Sequence, residues 1–224
     1  MQREFFDSSC AFSAPLRAML ECLEYVMPIL PPLAMSLRPS REPPLIVYSD
    51  AMFTPRSATC APVLRIGWVV YDPISCEVFH SHLELPPSLF SLFVPGLKTY
   101  IMQGAGIGAV APALSLPRVF RGRHVIQFND ISGALSSLIN GYASKPDMAR
   151  IVNVYHLTQF YLRATVWLEW VPSKANIADL PSRLAYDAFF RILPHSRWVE
   201  TVLPPAHVWV GPLRALAARV ERML

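Results

Sequence analysis

Three aspartates in this 224-residue chain stand where short apolar runs end or where a helix begins. The run LIVYSD (45–50) closes in Asp50, and HVIQFND (124–130) closes in Asp130. Asp179 comes shortly after a third run, TVWLEWV (165–171), in a segment that reads as a helix start. Runs of this kind suit buried strands, and the strand ends of an α/β sheet are where ligands collect. Carboxylates gathered there repel one another unless a divalent cation neutralises them. Mg²⁺ suits an all-oxygen set, and a pair of such ions is the logic of phosphodiester hydrolysis. A single strand-end aspartate serves equally well as a loop or helix cap, so the reading rests on the three together.

The elements that must position these acids follow from patterning. LRIGWVVYD (64–72) and SCEVFHSHLEL (75–85) are rich in β-branched and aromatic residues and are joined through a Pro73 turn, which predicts a hairpin. Residues 130–143 and 147–163 read as helices, the second with Ile151, Val154, Tyr155, Leu157, Tyr161 and Leu162 at helical spacing and Asp147 as its cap. Residues 173–193 read as helical or mixed, and GPLRALAARVERML (211–224) as a final amphipathic helix. Near the N-terminus, Ser13, Pro15 and the stripe Leu16, Leu20, Leu23, Met27 predict a helix over 13–27, followed by a proline-rich connection. Three consecutive strands followed by alternating helices and strands argue for an α/β fold, a mixed sheet with helices on its faces.

Composition narrows the class. Apolar residues make up 53% and charged residues 16%, which excludes wholesale disorder. The 22 prolines against 9 glycines punctuate a folded chain instead of forming a flexible linker. The net charge of +4 is compatible with a polyanionic partner but is no nucleic-acid-coating tail. Cys10, Cys22, Cys60 and Cys76 show no zinc-ligand spacing, and a reduced, intracellular protein is expected. Met1–Ser9 carries both charge signs with no apolar run behind it, so no secretory leader is expected. Residues 99–117 are uncharged and long enough for a membrane span, but their glycines, prolines and Gln103 make them a poor one, and no membrane partner is expected.

IVYSDA, GWVVYD, VIQFND and above all WLEWVPSKANIADLPSR together resemble the ribonuclease H domain of retroelement polymerases, including those of hepadnaviruses and of tyrosine-recombinase and gypsy-like retrotransposons. The motif V-P-S-x-x-N-x-A-D-x-P-S-R is the most specific part, and the resemblance spans residues 45–185. It implies a five-stranded mixed sheet, three antiparallel strands extended by two parallel ones, carrying four acids that hold two Mg²⁺, with Mn²⁺ as a substitute. Asp50, Asp130 and Asp179 match the first, third and fourth acids. The implied activity is hydrolysis of the RNA strand of an RNA/DNA hybrid, with an upstream reverse transcriptase domain of the same polyprotein as partner. Residues 1–44 would then be a remnant of a polymerase thumb or connection, and 186–224 a C-terminal extension.

The second acid of that family is a glutamate on the first helix, in a pattern like E-x-x-A-x-x-x-A-L. Aligning Ala109, Ala113 and Leu114 to it places Gly106 at the glutamate position, which implies impaired hydrolysis. A non-catalytic nucleic-acid-binding or scaffold segment of a polymerase is the alternative. A second alternative uses the same glycines: GAGIGA (104–109) fits a dinucleotide fingerprint, with Asp130 as the ribose acid.

Cationic residues supply candidate phosphate contacts. Arg118, Arg121, Arg123 and His124 form a basic turn before the run ending in Asp130, while Lys174 and Arg183 flank Asp179. Arg121, Arg123, Lys174 and Arg183 are the nucleic-acid-binding candidates, as backbone contacts that position a duplex without reading sequence. A solvated loop is the competing reading of the basic turn. Trp68, Trp167 and Trp170 read as core or sheet-face residues rather than base-stacking platforms. His156 reads as a satisfied or partly exposed helical histidine, and His195 lies too far along the chain for a role beside Asp179.

Overall fold

The computed structural model describes residues 42–55, 61–90, 92–95, 97–206, 209 and 213–223, with a few positions between 16 and 28. The expected helix over 13–27, the proline-rich connection after it and the cysteines other than Cys76 fall largely or wholly outside the described residues.

Six strands form one sheet: β1 (Leu45–Thr54), β2 (Val63–Asp72), β3 (Glu77–Glu84), β4 (His124–Asn129), β5 (Thr165–Trp170) and β6 (Arg197–Trp198). Their order is β5-β4-β1-β2-β3-β6. β1, β2 and β3 are mutually antiparallel, while β4 runs parallel to β1 and β5 parallel to β4. The expected five-strand arrangement is therefore present. The sixth strand is an addition, two residues paired parallel to β3 through Phe79 and His80. The helices are α1 (Pro87–Phe90), α2 (Ile101–Ser115), α3 (Pro117–Phe120), α4 (Ser132–Asn140), α5 (Pro146–Leu162), α6 (Asp179–Ser182), α7 (Tyr186–Ile192) and α8 (Leu213–Met223).

β1 is buried on both faces, as a central strand must be. Leu45, Val47 and Ala51 enter the large core beneath α2 and α5, whereas Tyr48 packs with Val69, Ala178 and Phe189 on the opposite face. The uncharged segment over 99–117 becomes α2, buried from Gln103 to Leu114, and no helix among the described residues is long and apolar enough to cross a membrane. Its three glycines cost the isolated helix about 1 kcal/mol each relative to alanine. Close packing repays that cost. A Cβ on Gly104 would sit 2.6 Å from Leu64 Cδ1, and one on Gly108 would sit 3.2 Å from the Asp50 carbonyl oxygen. α2 thus lies directly against β1 and β2 on one side and α5 on the other. Because it is buried all round, it shows no amphipathic stripe.

That placement removes the dinucleotide reading. The fingerprint needs glycines at a strand-to-helix turn, with backbone N–H groups open to a pyrophosphate. Gly104 to Ala109 lie instead in the middle of α2, buried and with their backbone groups committed to the helix.

Buried polar bridges tie the layers. Tyr155 Oη donates to Gln127 Oε1 (3.0 Å), and Gln127 Nε2 donates to the Ala109 carbonyl (2.8 Å), linking α5, β4 and α2. Asp147 does not cap α5; the cap position is Lys145, with Pro146 opening the helix. The Asp147 carboxylate instead accepts from Gln103 Nε2 (2.9 Å) and the Val94 amide (3.0 Å), joining the start of α5 to α2 and the preceding loop. Beyond residue 185 the chain continues on the same sheet: Phe189 of α7 is fully buried, β6 pairs with β3, and α8 buries Ala217 and Val220.

Candidate functional site

Three elements bring the predicted acids to one face. Asp50 lies in the middle of β1, not at its end as the apolar run suggested, because the strand continues to Thr54. The parallel register pairs Ser49 with Asn129, so Asp130, the first residue after β4, emerges beside Asp50. Asp179 is the first residue of α6, which crosses the sheet over β2. That crossing depends on a missing side chain. A Cβ on Gly67 would lie 2.4 Å from the Ser182 amide nitrogen and 2.7 Å from the Ala178 carbonyl oxygen, so α6 rests on bare β2 backbone. Gly67 is paired directly with Asp50 across the β1–β2 ladder, and the same contact delivers α6 to the aspartate.

Five residues of the V-P-S-x-x-N-x-A-D-x-P-S-R motif, Asn176, Ala178, Asp179, Ser182 and Arg183, hold parts of this arrangement. Asn176 Nδ2 donates to the Ser49 carbonyl (3.0 Å), pinning the turn after β5 beside Asp50, and Asn176 Oδ1 accepts from the Ala178 amide (3.2 Å). Ala178 is fully buried in the small core of Val69 and Phe189. Ser182 Oγ donates to Asp50 Oδ2 in a short hydrogen bond. Arg183 Nε donates to Asp179 Oδ1 at 2.6 Å, one helical turn away.

The electrostatics are those of confined like charges. Asp50 is only 3% exposed. Burial pushes its carboxyl from 3.8 up to about 7, with Asp130 and Asp179 adding repulsion and the Ser182 hydrogen bond opposing the rise. Asp130 Oδ1 is buried without a hydrogen-bond partner. Arg183 is held more firmly protonated by its hydrogen bond to Asp179, and it feels Asp50 and Asp130 as well. The three carboxylates therefore share one electrostatic neighbourhood, yet among the described residues no three His, Cys, Asp or Glu side chains stand close enough to hold one ion.

The remaining predicted residues divide by position. Lys174 is exposed on the 3-10 turn Ser173–Ala175 between β5 and α6, and the Arg183 side chain is 58% exposed beside Asp179. Both lie at the acidic end of the sheet. Arg121 and Arg123 do not. They precede β4, whereas Asp130 follows it, and a six-residue strand separates the two ends by about 20 Å. Arg123 is moreover a structural residue: its Nη2 bonds Asp72 (3.1 Å) and the Pro43 carbonyl (3.2 Å). Burial raises Asp72, but Arg123 and the Ile74 amide outweigh it and hold the carboxyl below its ordinary range.

Gly106 faces α5. A Cβ there would point at Ile151 Cγ2 (2.8 Å) and Met148 Cε (2.9 Å), into α5 and away from Asp50. The line of α2 facing β4 runs instead through Ala105 and Ala109, whose carbonyls accept from Asn129 and Gln127. α2 carries no acid at any position. Trp68 is fully buried, as a core residue should be, whereas Trp167 and Trp170 on the edge strand β5 are 67% and 51% exposed. His156 Nε2 engages the Leu138 carbonyl at 2.9 Å.

Sequence reasoning missed the residues that position the acids. Ser182 and Gly67 lay within motifs already singled out, but nothing in their type disclosed that they meet. Arg65, bonded to Glu84 (2.9 Å) and the Ser182 carbonyl (3.4 Å), and the His82 Nδ1–Tyr186 Oη pair (2.5 Å) complete this face.

No protein-family model matches the sequence, and no curated protein matches it. Among solved structures, the chain is similar to the N-terminal RNase H domain of Rv2228c from Mycobacterium tuberculosis, solved as a fusion with maltose-binding protein. The identity is 14% and the TM-score 0.48, over 66% of this chain and 97% of that one. It is similar also to RNase H1 of the halophilic archaeon Halobacterium salinarum, at 15% identity and TM-score 0.45 over 64% of this chain and 98% of that one. A third similar structure is LC9-RNase H1, a type 1 RNase H with the type 2 active-site motif. Its identity is 10% and its TM-score 0.46, over 82% of this chain and 87% of that one.

Proposed function

We propose that this chain is a ribonuclease H-like domain of a retroelement polymerase, acting on the RNA strand of an RNA/DNA hybrid with Mg²⁺ or Mn²⁺. The observation that carries the reading is the meeting of Asp50, Asp130 and Asp179 from mid-strand, strand end and helix start on one face. An all-carboxylate donor set, an Asp50 carboxyl raised by burial and further by its acidic neighbours, and an Asp130 oxygen without a partner fit a divalent cation in donor chemistry. Asp50, Asp130 and Asp179 would hold it. When bound, such ions activate a water and neutralise the leaving oxygen.

The chain's own residues do the positioning. Ser182 fixes one oxygen of Asp50, and Asn176 holds the backbone of β1 beside it. Lys174 and Arg183, at the same end of the sheet, would contact the phosphate backbone of a duplex recognised by groove shape and 2′-hydroxyls.

The test is cleavage of an end-labelled RNA/DNA hybrid by the whole chain in Mg²⁺ and in Mn²⁺. The proposal expects weak, metal-dependent cleavage that Asp50→Asn abolishes. Cleavage unchanged by Asp50→Asn would defeat it. The absence of any acid on α2 favours one second reading, a segment that binds the hybrid without cutting it. Hybrid binding with no cleavage in either metal would select that reading.

A further inference from the structure

We propose that Arg183 is the resident counter-cation of the acidic site, and that a divalent ion binds there in competition with its guanidinium at Asp179. This rests on the metal-binding reading of the three aspartates and concerns what guards that site.

Asp179 Oδ1 is taken by Arg183 Nε at 2.6 Å, one helical turn away. The same arginine feels Asp50 and Asp130, so one positive charge serves all three carboxylates. Among the described residues, the other cations of this face, Arg65 and Lys174, make no ion pair with the three aspartates. Arg65 pairs with Glu84 at 2.9 Å, and Lys174 lies on the turn before the helix. With Asp179 turned to Arg183 and Asp50 bonded to Ser182, no three acids among the described residues converge on a single point. An ion ligated by Asp179 must therefore compete with the guanidinium already paired to Oδ1. Nothing in the packing opposes its displacement, because the Arg183 side chain is 58% exposed and can turn into solvent. The freed guanidinium would then stand at the mouth of the site, where a backbone phosphate would arrive.

The consequence is a site that folds without metal and binds metal weakly. Calorimetric titration with Mn²⁺ at low ionic strength tests this on the whole chain, Arg183→Gln, Arg183→Lys and Arg197→Gln. Arg197 pairs with Glu77 at 3.5 Å away from the cluster and controls for loss of net charge. Arg183→Gln is expected to bind Mn²⁺ about fivefold more tightly, the size of an exposed ion pair that no longer competes. Arg183→Lys and Arg197→Gln are expected to stay within about twofold of the parent. Equal or weaker binding by Arg183→Gln, or an equal gain by Arg197→Gln, overturns the proposal while leaving the metal site standing. Absence of Mn²⁺ binding in the parent and in Arg183→Gln alike overturns both it and the metal reading.

Discussion

Gly67→Ala is the sharpest perturbation of the arrangement that delivers Asp179 and Ser182 to Asp50. The new Cβ would lie 2.4 Å from the Ser182 nitrogen, 2.7 Å from the Ala178 oxygen and 2.9 Å from the Ser182 Cα. All three are backbone atoms, so no side-chain rotation relieves the clash. Reaching ordinary contact at 3.4 Å requires α6 to retreat by about 1 Å, and the Asp50–Ser182 hydrogen bond opens with it. Overpacking of this kind costs about 1–3 kcal/mol, and loss of a hydrogen bond to an ionisable partner costs about 1–2 kcal/mol more. For a chain of this length the sum, near 3 kcal/mol, lowers Tm by about 6–12 °C. Thermal unfolding followed by circular dichroism measures it. Gly133→Ala is the control, because a Cβ there meets only the flexible Met102 side chain, Sδ at 3.5 Å and Cε at 3.9 Å, inside α4. It should leave Tm unchanged or raise it slightly. A Gly67→Ala chain melting within about 2 °C of the parent would refute the account of how α6 is seated.

Other variants separate site from scaffold. Gly106→Glu places a carboxylate against Met148 and Ile151, so it should unfold the chain at lower urea instead of restoring cleavage; a gain in cleavage would return position 106 to the site. Asp50 titrates near 3.8 when unfolded and near 7 when folded, so between those values the folded chain keeps a proton that the unfolded chain has lost. Its contribution to metal-free stability should fall as pH rises from about 4 to about 7 and level off above. Asp50→Asn should flatten that part of the pH–Tm profile, and an unaltered profile would count against the buried, repelled carboxyl. Arg123→Ala should cost about 1–3 kcal/mol of stability through Asp72 while leaving hybrid affinity unchanged. Lys174→Ala should do the opposite, weakening hybrid binding and reducing its salt dependence in a fluorescence titration.

The strands were legible because each is a compact apolar run closed by a turn or an acid, and a central sheet buried on both faces produces that pattern. Of the three aspartates only Asp130 follows a strand end written locally; Asp50 sits mid-strand because β1 runs on to Thr54, and Asp179 opens a helix within the V-P-S-x-x-N-x-A-D-x-P-S-R motif. α2 was ambiguous for a physical reason. Its glycines are required by close packing on both sides, so the segment carries no stripe and reads equally as a span, a fingerprint or a core helix. A glycine also has no side chain to declare its face, so nothing local shows that position 106 faces Met148 and Ile151 of α5. β6 is two residues long and is held by its partner β3, so no local signal marks it. Arg123 looked like a free cation because Asp72 is 51 residues away in sequence, and the ion pair exists only once β2 and β4 share a sheet.

The central claim is that Asp50, Asp130 and Asp179 form one divalent-cation site. An anomalous-scattering map of crystals soaked in Mn²⁺ tests it most directly. The account predicts a peak bounded by Asp50 and Asp130, with Asp179 turned away from Arg183 towards it, and no such peak in Asp50→Asn crystals. Mn²⁺ bound elsewhere, or a map empty between these carboxylates with the Asp179–Arg183 pair intact, would contradict it.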